Sequence, residues 1–330
     1  MTPNLRGARP APRRRAVLAT MLPALALLAA CGGASSGGAA STGSSPSGTA
    51  NRSAEVATYP VTVTADNGSV TIAAQPKRIV SLSPTATEML YAIGAGSQVV
   101  AVDDLSNYPA QAPKTSLSAF KPNVEAVVAQ KPDLVVASMD MDGLMAALAK
   151  LKIPALLLPA AADLEASYVQ ETTLGKATGH SAAAAEVISR TKSRIAAAVA
   201  SVPASAKGLK IYHEVDQTYY SVTSKTFLGG IYRLFGLTNI ADAAPDAASG
   251  GKWPKLSAEY VVSAAPDLIV LADSKCCGQS PQAVGQRPAF AAVPAVAHGR
   301  VIAIDDDIAS RWGPRTADFA EAVAKALGGK

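Results

Sequence analysis

The sequence predicts an α/β protein: two similar lobes, each a mostly parallel sheet covered by helices, joined by one long α-helix. Three observations carry this. Short apolar strands alternate with helical segments from about residue 78, a pattern that needs crossover helices on both faces of a sheet. Between Asp163 and Val202 the strands stop, and the composition turns to Ala, Glu, Lys and Arg. After Pro203 the alternation resumes, and a stretch of the first half returns. VEAVVAQKPDLVV at 124–136 and AEYVVSAAPDLIV at 258–270 share seven of thirteen residues.

Residues 1–30 are a leader rather than part of the fold. Arg6, Arg9, Arg13, Arg14 and Arg15 precede the fifteen-residue apolar run AVLATMLPALALLAA. That run is short of the roughly 20 residues a spanning helix needs. Its end, Leu28-Ala29-Ala30-Cys31, looks like a bacterial lipobox, which implies lipidation at Cys31 and an extracytoplasmic, lipid-anchored protein. The Arg14-Arg15 pair leaves Sec and twin-arginine export both open. The five leader arginines account for the whole formal net charge of +5. The remainder is neutral, so charge gives no case for nucleic acid or a membrane surface. Residues 31–55 are mostly Gly, Ser, Ala and Thr and read as a flexible tether, reaching on the order of 25–30 Å.

The folded part divides into an N-terminal lobe over 56–162, a helical segment over 163–202 and a C-terminal lobe over 203–330. YPVTVTADNGSVTIAAQP reads as a β-hairpin, with Asn67-Gly68 at the φ > 0 positions of the turn. Ile79 to Leu82 form a short buried strand. Ser83 then caps a helix with Pro84 in its first turn, ending near Gly94. VVAVDD, DLVVAS and PALLLP follow as strands, with VEAVVAQ and GLMAALAKL as helices. Gly175 and Gly179 mark a break, after which SAAAAEVISRTKSRIAAAVAS forms one helix about 30 Å long. In the second lobe KIYHEV, YYSV, DLIVLA and RVIAI read as strands. KTFLGGIYRLFG, SAEYVVSAA and PRTADFAEAVAKALG read as helices.

The repeat gives matched acids. Asn123 and Ser257 are good N-caps, so Glu125 and Glu259 sit in the first turns of two equivalent helices. There they favour the helix macrodipole. They should also project from equivalent sides of two related lobes, which suits a partner with twofold symmetry.

From about Tyr59 to the C-terminus the chain resembles the bacterial periplasmic binding proteins for cobalamin, ferric siderophores and haem. The stretches that carry this are PKRIVSLSPTATEMLYAIGAG, NYPAQAPK, VEAVVAQKPDLVVAS and WPKLSAEYVVSAAPDLIVLAD, in that order. The resemblance implies two Rossmann-like lobes on a single long helix, with a ligand cleft between them. It implies a substrate-binding lipoprotein that is not an enzyme and carries no cofactor. Its ligand is a metal chelate, delivered to a dimeric ABC permease with its ATPase. Glu125 and Glu259 would dock on arginines of that permease, one per subunit.

Cleft residues should come from loops at the strand ends of both lobes. Candidates are Ser83, Tyr108, Phe120, Tyr220 and Trp253, the aromatics offering apolar area with a polar tip to a bulky macrocycle. Met139 is a further lining candidate. By resemblance to cobalamin-binding members, Asp307 and Arg311 in DDDIASRWGPR face the ligand. The aromatic loops lean toward cobalamin or a related corrinoid. Ferric siderophores suit Arg311 with Arg315, and haem would want an axial His or Tyr.

Besides Cys31 the cysteines are the adjacent Cys276 and Cys277, either a vicinal disulfide or two thiols. His180, His213 and His298 are scattered, which argues against a metal centre and against a receptor for free Zn or Mn ions. A secreted α/β hydrolase is the enzyme alternative. The folded part has no Gly-x-Ser-x-Gly elbow, and the chain has no phosphate-binding Gly-Lys-Ser/Thr loop, to support one.

Overall fold

The structure, a computed structural model, describes residues 58–329. The leader, Cys31 and the tether lie outside the described residues. The first described element is a hairpin of β1 (Val61–Ala65) and β2 (Gly68–Ile72), paired from Val61↔Ile72 to Ala65↔Gly68. The turn therefore sits one residue earlier than expected, on Asp66 and Asn67. Only Gly68 has a positive φ, of 102°, as in a turn closed by a glycine bulge. This frees Asn67 for a second task. Its amide accepts from Leu157 N and donates to Ala155 O, both at 3.0 Å, and so covers an exposed strand edge of the first lobe.

That lobe is built on β3 (Ile79–Leu82), β4 (Val99–Val102), β5 (Leu134–Ala137) and β6 (Ala155–Leu157), all parallel in the order β4-β3-β5-β6. Between them run α1 (Pro84–Ala92), α2 (Val124–Ala129) and α3 (Leu144–Lys150). Strands β3 and β5 are buried along their whole length, which explains their unbroken apolar runs. Ser83 caps α1 by accepting from Ala86 N, and Pro84 occupies its first position.

Residues 163–202 hold two helices. The first, α4 (Leu164–Thr178), buries Leu174 and Ala177 in the core of the first lobe and ends at Gly179 with φ 80°. Gly175 lies inside α4 instead of breaking it. A Cβ there would come within 2.5 Å of the Ala184 Cβ, so the glycine sets the close approach of the next helix. That helix, α5 (Ser181–Ser201), is the brace expected from the sequence. Its Ala184 and Val187 pack in the first lobe's core, its Ile195 and Ala198 in the second's.

The second lobe repeats the plan. β7 (Lys210–Glu214), α6 (Phe227–Leu234), β8 (Thr238–Asn239), α7 (Pro245–Ala248), α8 (Ala258–Ala264), β9 (Leu268–Leu271), α9 (Ser274–Cys277), α10 (Pro281–Gly285), α11 (Pro294–Ala297), β10 (Val301–Ala303), α12 (Asp306–Ser310) and α13 (Thr316–Ala326) follow in order. Its parallel sheet reads β8-β7-β9-β10. Numbered within each lobe, both sheets have the order 2-1-3-4. The repeated sequence forms helix and third strand in each: α2–β5 and α8–β9. Asn123 and Ser257 cap the two helices. Lys131 and Ala265, at matched positions, both take positive φ, 53° and 51°. Asp133 accepts from Lys77 N and Arg78 N, and Asp267 accepts from Lys210 N, so each Pro-Asp ties the third strand to the first.

YYSV is not a strand. Tyr220 makes a single bridge to Lys255, and Ser221 and Thr223 donate to Pro254 O and Lys252 O. Pro254 has no N–H to return, so the ladder stops. The second strand of this lobe is instead the two-residue β8. The region from Ser274 to Ser310, outside β10, is a series of helices of four or five residues, too short for periodicity to reveal.

Candidate functional site

In both lobes the loops after the carboxyl ends of the strands supply the walls of a cleft, the position where open α/β sheets take ligands. A cavity of about 420 Å³ has one wall from the first lobe: Ser83 after β3, Asp103 after β4, Phe120, and Ser138 and Met139 after β5. Asp307, Ser310, Arg311 and Trp312 face them from the second lobe. A second cavity of about 240 Å³ shares Ser310, Arg311 and Trp312 and adds Lys252 and Trp253. Phe120 and Trp253 are each 55% exposed, a large exposure for aromatic residues.

Of the sequence candidates, Ser83, Phe120, Trp253, Asp307 and Arg311 thus meet around two adjoining cavities, and Met139 joins them. Ser83 is buried, with its hydroxyl committed to the α1 cap. Tyr108 is placed elsewhere. It lines a separate hollow, with the Arg315 guanidinium 4.2 Å above its ring. Tyr220 lines neither cavity and stands under Lys255 Nζ at 5.6 Å.

Arg311 is buried, and its guanidinium is spent between the lobes. It donates to Glu88 Oε1 at 2.7 Å, to Leu105 O at 3.0 Å, to Asn107 Oδ1 at 2.9 Å and to Asp307 Oδ1 at 2.8 Å. Arg315 Nε reaches Glu88 Oε2 at 2.8 Å. Glu88 on α1 is therefore clamped by two arginines of the other lobe. Trp312 adds to the seam, its Nε1 donating to Gln170 Oε1 at 2.8 Å and its carbonyl accepting from Ser167 Oγ. Asp307 also accepts from Asn107 Nδ2 and Lys275 Nζ, which helps hold its carboxyl below the usual range.

Glu125 and Glu259 are both exposed in the first turns of α2 and α8. Hydrogen bonds from its own backbone and from the Ser257 hydroxyl hold Glu259 below the usual carboxylate range. Cys276 and Cys277 are joined as a vicinal disulfide at the end of α9. The helix is seated on α12 by Asp306, which accepts from Ser274 Oγ, Lys275 N and Cys276 N. Among the described residues no group of three or more His, Cys, Asp or Glu is placed to hold a metal ion. No helix among them is long and apolar enough to cross a membrane. His213 is buried with Nδ1 2.7 Å from the Tyr232 hydroxyl, and burial pushes it down to about 3.

Two features of the seam and the cleft escape the sequence. Glu88 looks like any polar helix residue in SPTATEML, and only the fold brings Arg311 and Arg315 to it. Asp103 had a usable signal: an acid closing the apolar strand VVAV, at the end of a parallel strand where ligands bind.

Two buried acids give the molecule a pH signature. Burial pushes Glu171 on α4 up to about 7, with the Arg190 charge partly offsetting it. Burial, and then the Glu214 charge, raise Asp273 to about 7. Both keep a proton in the folded chain that the unfolded chain has lost above about pH 4–4.5, so stability falls as pH rises toward 7. His213 acts in the opposite sense, but only below its unfolded value near 6.5. Scanning calorimetry should therefore show a lower Tm at pH 7.5 than at pH 6.5. Glu171→Gln should flatten that fall and recover on the order of 2 kcal/mol at pH 7.5. An unchanged slope would mean that Glu171 is ionised in place.

Residues 79–308 match the family described as "Periplasmic binding protein". The chain is 30% identical over 325 residues to an uncharacterized ABC transporter substrate-binding lipoprotein of Bacillus subtilis, covering 96% of this chain and 97% of that protein. It is 30% identical over 279 residues to a cobalamin-binding protein of Halobacterium salinarum, covering 82% of this chain and 74% of that one. The crystal structure of the periplasmic vitamin B12 binding protein of Vibrio cholerae is similar with a TM-score of 0.63. It covers 76% of this chain and 96% of that one at 23% identity, a likeness that speaks for the fold alone. A match that runs through both lobes and the brace between them makes this chain a member of the periplasmic binding protein family, whose members are substrate-binding transport components and not enzymes.

Proposed function

We propose that the protein captures a bulky metal chelate between its lobes, cobalamin or a related corrinoid, and delivers it to a dimeric ABC permease. It would do so outside the cytoplasm, held at the membrane by lipid on Cys31. The observation that carries the reading is the pair of exposed aromatics, Phe120 on one wall and Trp253 on the other, beside adjoining cavities with a neutralised polar seam. A broad, largely neutral macrocycle can cover both rings and so remove apolar surface from water on two sides at once. The cobalamin-binding relative from Halobacterium salinarum supports the same class.

Ferric siderophores are the nearest alternative. Arg311 is consumed by its own protein, so an anionic chelate would rely on Lys225 and Lys252, which line the smaller cavity. Haem is less well served. Among the described residues the lining of the two cavities contains no histidine, tyrosine or cysteine to supply an axial bond. Titration by quenching of tryptophan fluorescence with cyanocobalamin, dicyanocobinamide, haem and a hydroxamate and a catecholate ferric siderophore tests this. Tight binding confined to the corrinoids is expected. Tight binding to a siderophore or haem with none to corrinoids would overturn it.

A further inference from the structure

The two cleft cavities differ in charge. The larger is lined by the carboxylates Asp103 and Asp307 beside the shared Arg311. The smaller is lined by Arg311, Lys225 and Lys252 and by no acid. The other cations around the cleft are answered within the protein. Glu88 meets Arg311 and Arg315, and Lys275 Nζ lies 2.7 Å from Asp305 Oδ1 and 2.8 Å from Asp307 Oδ2. Among the described residues neither the Lys225 nor the Lys252 side chain has such a partner.

Both lysines are exposed, and their backbones are held side by side. Thr223 donates to the Lys252 carbonyl from its N–H at 3.0 Å and from Oγ1 at 3.2 Å. Ser224 donates to Asp242 from its N–H at 2.7 Å and from Oγ at 2.6 Å, which occupies both oxygens of the acid beside this loop. Thr226 caps α6 by accepting from Gly229 N at 3.0 Å. Gly229 makes room for the turn: a Cβ there would collide with the Thr223 carbonyl oxygen. Lys225 therefore leaves a backbone fixed on both sides, and Lys252 leaves the segment bonded to it. Two ammonium groups on one wall, with no carboxylate among the lining residues, make the smaller cavity positive and favour an anion there.

We propose that the smaller cavity receives an anionic arm of the ligand, with Lys225 and Lys252 as its counter-charges, and that on a corrinoid this arm is the phosphodiester of the lower nucleotide. This rests on the corrinoid reading above and narrows it to corrinoids that keep the nucleotide. The amide-bearing ring suits the larger cavity, where a phosphodiester would face Asp307. A single ion pair open to water contributes little to affinity. Two lysines on one phosphodiester, covered by the macrocycle and so less screened by solvent, contribute more.

The test uses the whole protein and three cyano-corrinoids. Cyanocobalamin carries the complete arm, cobinamide phosphate keeps a phosphate without the ribose and base, and dicyanocobinamide lacks the arm. Wild type and the double variant Lys225→Gln with Lys252→Gln are titrated by fluorescence quenching at low salt, with melting curves to confirm that both fold. Wild type should bind the two phosphate-bearing probes about tenfold or more tightly than dicyanocobinamide. The double variant should lose about tenfold for those two and stay within about twofold of wild type for dicyanocobinamide. The wild-type preference should also shrink as salt rises, a readout that needs no variant. If wild type binds cobinamide phosphate no better than dicyanocobinamide, or if the double variant binds all three probes as wild type does, the role of the lysines is overturned and the corrinoid reading stands. A loss of equal size for dicyanocobinamide overturns it too, since the lysines would then shape the cavity and not answer a charge. Failure of wild type to bind any corrinoid overturns both.

Discussion

Glu88→Ala is expected to destabilise the protein by about 3 kcal/mol, because it strips a buried carboxylate from two arginines at once. Removing one partner of a buried pair costs about 3–5 kcal/mol when the other is left bare. The lower end applies here. Arg311 keeps Asp307, Asn107 and the Leu105 carbonyl, and Arg315 is partly exposed. Calorimetry should show a Tm lowered by roughly 6–12 °C. It should also show a broader transition, since the side chains of Glu88 and Arg311 help make the lobes unfold together. Glu88→Gln should lie between the two proteins. A Tm within a degree or two of wild type would show that α5 and the packing of Trp312 hold the seam without the clamp. Ligand affinity should fall too, because Arg311 lies in the wall of both cavities and would lose the contact that fixes its position.

The clamp also shows what the sequence could and could not convey. The repeat was legible because its information is local. Cap, proline, turn and buried strand lie within about fifteen residues, and each constrains φ/ψ or burial by itself. The positive φ shared by Lys131 and Ala265 was not marked by glycine at either place, yet the surrounding pattern still located the turn. The brace α5 was legible for the same reason, as a long run of helix formers after Gly179. Elements that owe their form to distant partners were not legible. YYSV has strand composition, but its neighbour in space contains Pro254. Strand β8 has two residues and exists because β7 offers an edge. Among candidate site residues, Phe120 and Trp253 stand in polar loops where burial was not required of them, and both are at the cleft. Tyr108 has the same sequence signature and Tyr220 belongs to the strand-like YYSV, but Arg315 and Lys255 rest on their rings outside the two cavities. Exposure of an aromatic residue follows from a loop's composition; the direction in which it points is a tertiary property.

Reversing both proposed docking acids, Glu125→Arg with Glu259→Arg, is expected to abolish ligand delivery while leaving ligand affinity unchanged. Both side chains are exposed in the first turn of helices that occupy the same place in two sheets of the same order. Neither lines either cleft cavity. The Glu259 carboxyl, held below the usual range, stays charged throughout the physiological range. A permease of two matched subunits would meet one carboxylate per lobe. Each reversal replaces an attraction by a repulsion, which should weaken docking on the order of tenfold or more per site, and the effect should shrink as salt rises. The single variants should therefore transport partially and the double variant should not. The helices themselves tolerate the change, since Asn123 and Ser257 still cap them. Uptake of labelled cobalamin by vesicles holding the permease, scored beside fluorescence titration of the same variants, separates docking from binding. Full transport by the double variant would show that the matched acids serve only their helices.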